Sequence, residues 1–64
     1  MLKTGEIIRA KREEHGLTQE QLAEKVGVSR PMICQVERGS KSPTLPLSKA
    51  IADVLGCTVD ELTE

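Results

Sequence analysis

Apolar residues recur along this chain three and four positions apart, the spacing of side chains that share one helix face. Leu47, Ala50, Ile51, Val54 and Leu55 show the pattern most plainly. Sustained alternation is missing, as are the Asn-Gly and Asp-Gly pairs that turn hairpins, so strands are not expected. Punctuation instead divides the chain into five short helices. Thr4 is read as the cap of the first, over residues 5–15 with Gly16 as its stop, although Glu13 and Glu14 oppose the helix dipole there. Thr18-Gln19-Glu20-Gln21 fits a capping box, and the helix it opens runs through Val26 to Gly27. A third helix is placed over residues 31–37, ending at Gly39. Pro31 lacks an N–H and so belongs in a first turn; it also biases Arg30 toward extended backbone. Ser29 or Arg30 is therefore the cap, and the Ser29 hydroxyl favours Ser29. Residues 40–43 form a polar loop, and Thr44 caps a fourth helix with Pro46 in its first turn and Gly56 at its close. Thr58-Val59-Asp60-Glu61 opens a terminal turn carrying Val59 and Leu62.

Composition narrows the class. A chain of 64 residues has room for one domain and a small core, a size at which self-association often adds stability. It has no Phe, Trp or Tyr, so the core must come from Leu, Ile, Val, Ala and Met. The same absence argues against single-stranded nucleic-acid binders, which stack bases on aromatic rings. A net charge of −1 points to no polyanion by itself. The charge is uneven, however: residues 1–41 hold eight Lys/Arg against six Asp/Glu, and residues 42–64 hold one against four. Cys34 and Cys57 stand apart, with a single His in the chain, so neither a metal site nor a cofactor is expected. No apolar run approaches the ~18 residues of a membrane span. No signal-peptide pattern opens the chain, so a cytoplasmic protein with reduced thiols is expected. A Ser-His-Asp set, a Gly-rich phosphate loop and a Cys beside a His are all missing, and neither an enzyme nor a small-molecule substrate is expected.

The second and third helices are joined by Gly27-Val28-Ser29, a turn too short for antiparallel packing. They must cross steeply, as in a helix-turn-helix over about residues 19–38. Ala23 lets the two approach closely, Val28 fills the angle, and Leu22, Val26, Ile33 and Val36 supply the buried side. Arg30, Pro31, Met32, Cys34 and Gln35 are left facing outward.

The stretch GLTQEQLAEKVGVS at residues 16–29 resembles the Cro/lambda-repressor-like (XRE) family. So do Ile33, Val36-Glu37-Arg38-Gly39, Pro43-Thr44-Leu45, residues 51–56 and Val59-Asp60-Glu61-Leu62. The likeness runs without gaps from about residue 8 to residue 62, and residues 1–64 are read as a single domain of that type. It implies an all-α, five-helix lambda-repressor-like bundle whose third helix enters the major groove. Carried over by position, Arg30, Pro31 and Gln35 stand where family members touch base edges, flanked by Met32 and Cys34. Thr18, Gln19, Ser29, Arg38 and Lys41 are placed at phosphates, and Arg12 and Glu37 match a pair that forms an internal salt bridge. Lys11 and Ser48 fall where the family is often apolar, which implies looser packing of the first and fourth helices or an edge position.

The side-chain chemistry is suited to these roles. Arg donates two hydrogen bonds to guanine O6 and N7, and Gln pairs with adenine N6 and N7. The start of the second helix attracts phosphate, and Arg38 and Lys41 release counterions on binding. Pro31 and Met32 make no polar base contact; they stiffen the start of the helix or touch a thymine methyl. Cys34 is read as a small filler, Cys57 as core and His15 as a surface residue at a helix end. The expected function is sequence-specific regulation of transcription, as a repressor, by binding double-stranded DNA. A homodimer on a pseudo-palindromic operator is expected, with a dimer surface near Cys57, Val59 and Leu62. The alternative is an antitoxin-like or adaptor module whose main partner is protein.

Overall fold

Side-chain caps set where the helices begin in the computed structural model, which describes residues 3–62. Among those residues the fold is all-α: α1 Thr4–Glu14, α2 Gln19–Val26, α3 Arg30–Arg38, α4 Leu45–Leu55 and α5 Val59–Leu62. At α2 the Thr18 hydroxyl accepts from the Gln21 N–H at 3.0 Å, and Gln21 Oε1 accepts from the Thr18 N–H at 2.9 Å. Two orphan donors are thereby satisfied reciprocally. Thr58 and Glu61 repeat the exchange at 3.2 Å, and the Thr44 hydroxyl accepts from the Leu47 N–H at 3.3 Å. Gly27 and Gly39, with φ of 77° and 82°, supply the left-handed backbone that ends α2 and α3.

Two helices begin one residue earlier than the reading of the sequence places them, while the favoured Ser29 cap of α3 is the one found. Lys3 rather than Thr4 caps α1, because the Glu6 carboxylate reaches back to the Lys3 N–H at 3.1 Å. The helix therefore begins one residue earlier, and His15 lies just outside its end. At α3 it is Ser29 that takes the extended backbone, with φ −79° and ψ 156°, and accepts from the Met32 N–H at 3.4 Å. Arg30 is then the first helical residue and Pro31 the second, where a missing N–H still costs nothing. The cap overrides the bias that Pro31 places on Arg30.

Ile8, Leu22, Ile33, Val36, Ile51 and Leu62 are almost wholly buried and form the centre of the core. Each such aliphatic side chain contributes about 1.5–3 kcal/mol relative to exposure. α2 packs on α3 and α4, while α1 packs on α3, α4 and α5. Ala23 is buried at the α2–α3 crossing, and Val26, Val28, Met32 and Cys57 are half-buried against the core. Leu62 is a correction: its side chain fills the core and so offers no free face to a dimer partner. Ser48 is buried on the inner side of α4 and Lys11 is half-buried on α1, so both polar departures border the core. Among the described residues no helix is long and apolar enough to cross a membrane.

Gly5 fixes how closely α1 meets α3. A Cβ placed there would overlap the backbone carbonyl oxygens of Val36 and Glu37, which cannot swing aside as a side chain could. In an unobstructed helix Gly→Ala gains ~1 kcal/mol. Here Gly5→Ala is expected to destabilise by about 1–3 kcal/mol through overpacking. Urea unfolding at constant m-value measures the sign, and an increase in stability would refute the close contact.

Candidate nucleic-acid interface

The turn of the α-helix separates α3 into two faces. Ile33, Val36 and Glu37 are buried on one side, and Arg30, Pro31, Gln35 and Arg38 are exposed on the other. Cys34 lies between Arg30 and Arg38 on the outer face and is half-buried. Met32 is the departure from the outward set inferred from sequence. It sits at the boundary of the faces and is half-buried, packing partly against the core.

A buried ion pair ties α1 to α3. Arg12 Nε donates to Glu37 Oε2 at 2.6 Å and Arg12 Nη2 donates to Glu37 Oε1 at 3.1 Å. The third arm of the guanidinium, Nη1, donates to the Leu17 carbonyl at 2.7 Å. The hydrogen bond to Glu37 holds the Arg12 pKa above its ordinary value, against burial, which alone would lower it. No buried side-chain nitrogen or oxygen among the described residues lacks a partner. The pair is structural, and it is fully satisfied.

Gln19 joins the same network. Its Nε2 donates to Glu37 Oε1 at 3.0 Å, bringing the first residue of α2 against the last turn of α3. Thr18 and Gln19 therefore stand at the end of α3 that carries Arg38 and Lys41. Ser29 stands at the other end, ~13 Å away along the helix axis. The Lys41 N–H reaches the Gln35 carbonyl at 3.3 Å, which folds the loop back beside α3. The Thr18 cap satisfies the Gln21 N–H and leaves those of Gln19 and Glu20 at the positive end of the helix dipole.

Sequence pattern does not single out Lys3, but the fold brings it to this surface. It lines a cleft with Arg38 and Gly39 and another with Lys41 and Ser42, extending the basic edge of α3. No local signal points there; the nearest is Gly5, a glycine in a helical run, whose close approach to the α3 backbone only the fold reveals. Cys57 is a free thiol whose pKa is raised, chiefly by burial, which favours the protonated form.

Comparison with known proteins agrees with this geometry. A helix-turn-helix family model matches residues 8–62. An uncharacterised HTH-type transcriptional regulator of Methanothermobacter thermautotrophicus is 54% identical over 50 residues, covering 78% of this chain and 72% of the relative. The immunity repressor protein of Bacillus phage phi105 is 39% identical over 61 residues, covering 95% of this chain and 42% of the repressor. The P22 c2 repressor, solved in complex with a synthetic operator, superposes with a TM-score of 0.95 at 34% identity, covering 100% of this chain and 97% of that one. The biofilm regulator SinR, solved in complex with DNA, gives a TM-score of 0.87 at 30% identity, over 92% of this chain and 95% of that one.

Proposed function

The chain belongs to the helix-turn-helix family, and from that premise we propose that it represses transcription by laying the outer face of α3 in the major groove of double-stranded DNA. It is a DNA-binding transcriptional regulator. The observation that carries the groove assignment is the division of α3: its anchoring side chains lie on the inner face, leaving the Arg30 and Gln35 side chains exposed and without a structural contact. Arg30 then reads guanine and Gln35 reads adenine, with Pro31 and Cys34 in van der Waals reach of thymine methyls. Met32 contributes at most its outer edge. Thr18, Gln19, Ser29, Arg38 and Lys41 contact phosphates and set the register without reading sequence.

Within this reading the protein is cytoplasmic and acts as a homodimer on a pseudo-palindrome with half-sites ~34 Å apart. The dimer surface is placed at Cys57 and Val59, each half-buried with part of its side chain outside, and Leu62 does not take part. Selection from a random duplex pool at two salt concentrations tests the whole reading. Enrichment of one symmetric motif is expected, with affinity falling as salt rises. No enriched motif together with a co-purifying protein partner would replace it with the interaction-module reading.

A further inference from the structure

The geometry points to Glu37 as a positioning residue for DNA binding: its carboxylate holds the Gln19 side chain at the phosphate-facing start of α2. This rests on the reading of the preceding subsection. The Glu37 side chain is 3% exposed, so it meets DNA only through other groups. One of its oxygens takes the 2.6 Å bond from Arg12 Nε, and the other is shared by Arg12 Nη2 and Gln19 Nε2. Arg12 neutralises the carboxylate, so the negative charge beneath Gln19 does not repel a phosphate.

The consequence lies in the amide. An unanchored glutamine samples many rotamers and loses that freedom when it grips a ligand. A primary amide nitrogen carries two hydrogens. At Gln19 one is spent on Glu37, and the second stays on a nitrogen whose place is already fixed. The side chain thus presents a preorganised donor beside the first N–H groups of α2, where a phosphate is favoured. The interior ion pair and the phosphate grip are coupled through this one hydrogen bond. Neither the ion pair nor the capping box does this alone: Gln21 caps the backbone of α2, and Arg12 never reaches Gln19 directly.

A binding cycle tests the coupling. DNA affinity is measured for the full chain, for Gln19→Ala, for the apolar swap Arg12→Met/Glu37→Met, and for the triple variant. Gln19→Ala is expected to weaken binding about tenfold across all sequences, leaving the selected motif unchanged. In the swapped background the same substitution is expected to matter less than about threefold, because Gln19 is already adrift. Equal losses in the two backgrounds would overturn the proposal. NMR of the unbound, unsubstituted protein gives a readout that needs neither variant folding nor DNA. The Gln19 side-chain amide is expected to be nearly as rigid as the backbone, with an order parameter near ~0.85, while Gln35 falls below about 0.6. Equal mobility of the two amides would also defeat it. If the duplex pool yields no motif while Gln19 is rigid, the regulator reading fails and the anchoring stands. If a motif emerges but Gln19 is mobile, only this inference fails.

Discussion

Arg12→Met, made alone, is expected to leave the protein largely unfolded at moderate temperature. It removes every hydrogen bond that Arg12 gives the Glu37 carboxylate and strands a charge whose side chain is 3% exposed. Breaking one side of such a pair costs about 3–5 kcal/mol, because the remaining ion keeps its desolvation penalty without its compensation. A chain of this length has a total stability on the order of 3–10 kcal/mol. The loss is therefore comparable to the whole, and equals a drop in melting temperature on the order of 15–30 °C. The Leu17 carbonyl also loses its donor, which loosens the turn between α1 and α2. The swap Arg12→Met/Glu37→Met is expected to recover most of the loss, since no charge remains buried. Circular dichroism melts of the single and double variants decide the matter. A double variant less stable than Arg12→Met would contradict the account.

Arg30→Ala/Gln35→Ala is expected to abolish sequence preference while leaving the fold intact. Both side chains are exposed, and neither makes a hydrogen bond or ion pair within the described chain. Each bidentate base contact is worth about 1–3 kcal/mol of discrimination, so the pair removes roughly 2–6 kcal/mol from specific binding if the sites are independent. Affinity for scrambled duplex should change far less. Arg38→Ala provides the contrast: from its proposed phosphate contact, binding is expected to weaken for all sequences alike and the salt slope to fall by about one. Titrations of selected and scrambled duplexes at several salt concentrations separate the two behaviours. A double variant that still prefers its motif would move base reading away from these two residues.

What the sequence shows and what it hides divide along the range of the interactions. The Thr18–Gln21 box, the Ser29 and Thr44 caps and the glycine ends are written within three or four residues, so spacing alone reveals them. The division of α3 follows from the periodicity of Ile33 and Val36, and only Met32, at the boundary, falls on the less expected side. The partnership of Gln19 with Glu37 spans eighteen positions and carries no local pattern; Gln19 looks equally free for phosphate until the fold is seen. Leu62 is similar. Nothing near it in sequence tells a buried leucine from one kept for a partner, and only the packing of α5 on α1 and α4 decides. Gly5 stands out in a helical run, but the backbone it approaches lies more than thirty residues away.

The close approach at Gly5 also bears on how such a protein changes its target over evolutionary time. α1 presses on main-chain oxygens of α3, atoms that are the same whatever side chains the helix carries. The other anchors of α3 are its Ser29 cap, its inner aliphatic residues and Glu37, none of which lies on the outer face. Substitutions at Arg30 and Gln35 are therefore nearly free of a stability penalty. The scaffold is in effect blind to the letters it displays, so on the proposed base-reading role of Arg30 and Gln35 a new operator costs only a change at a few exposed positions.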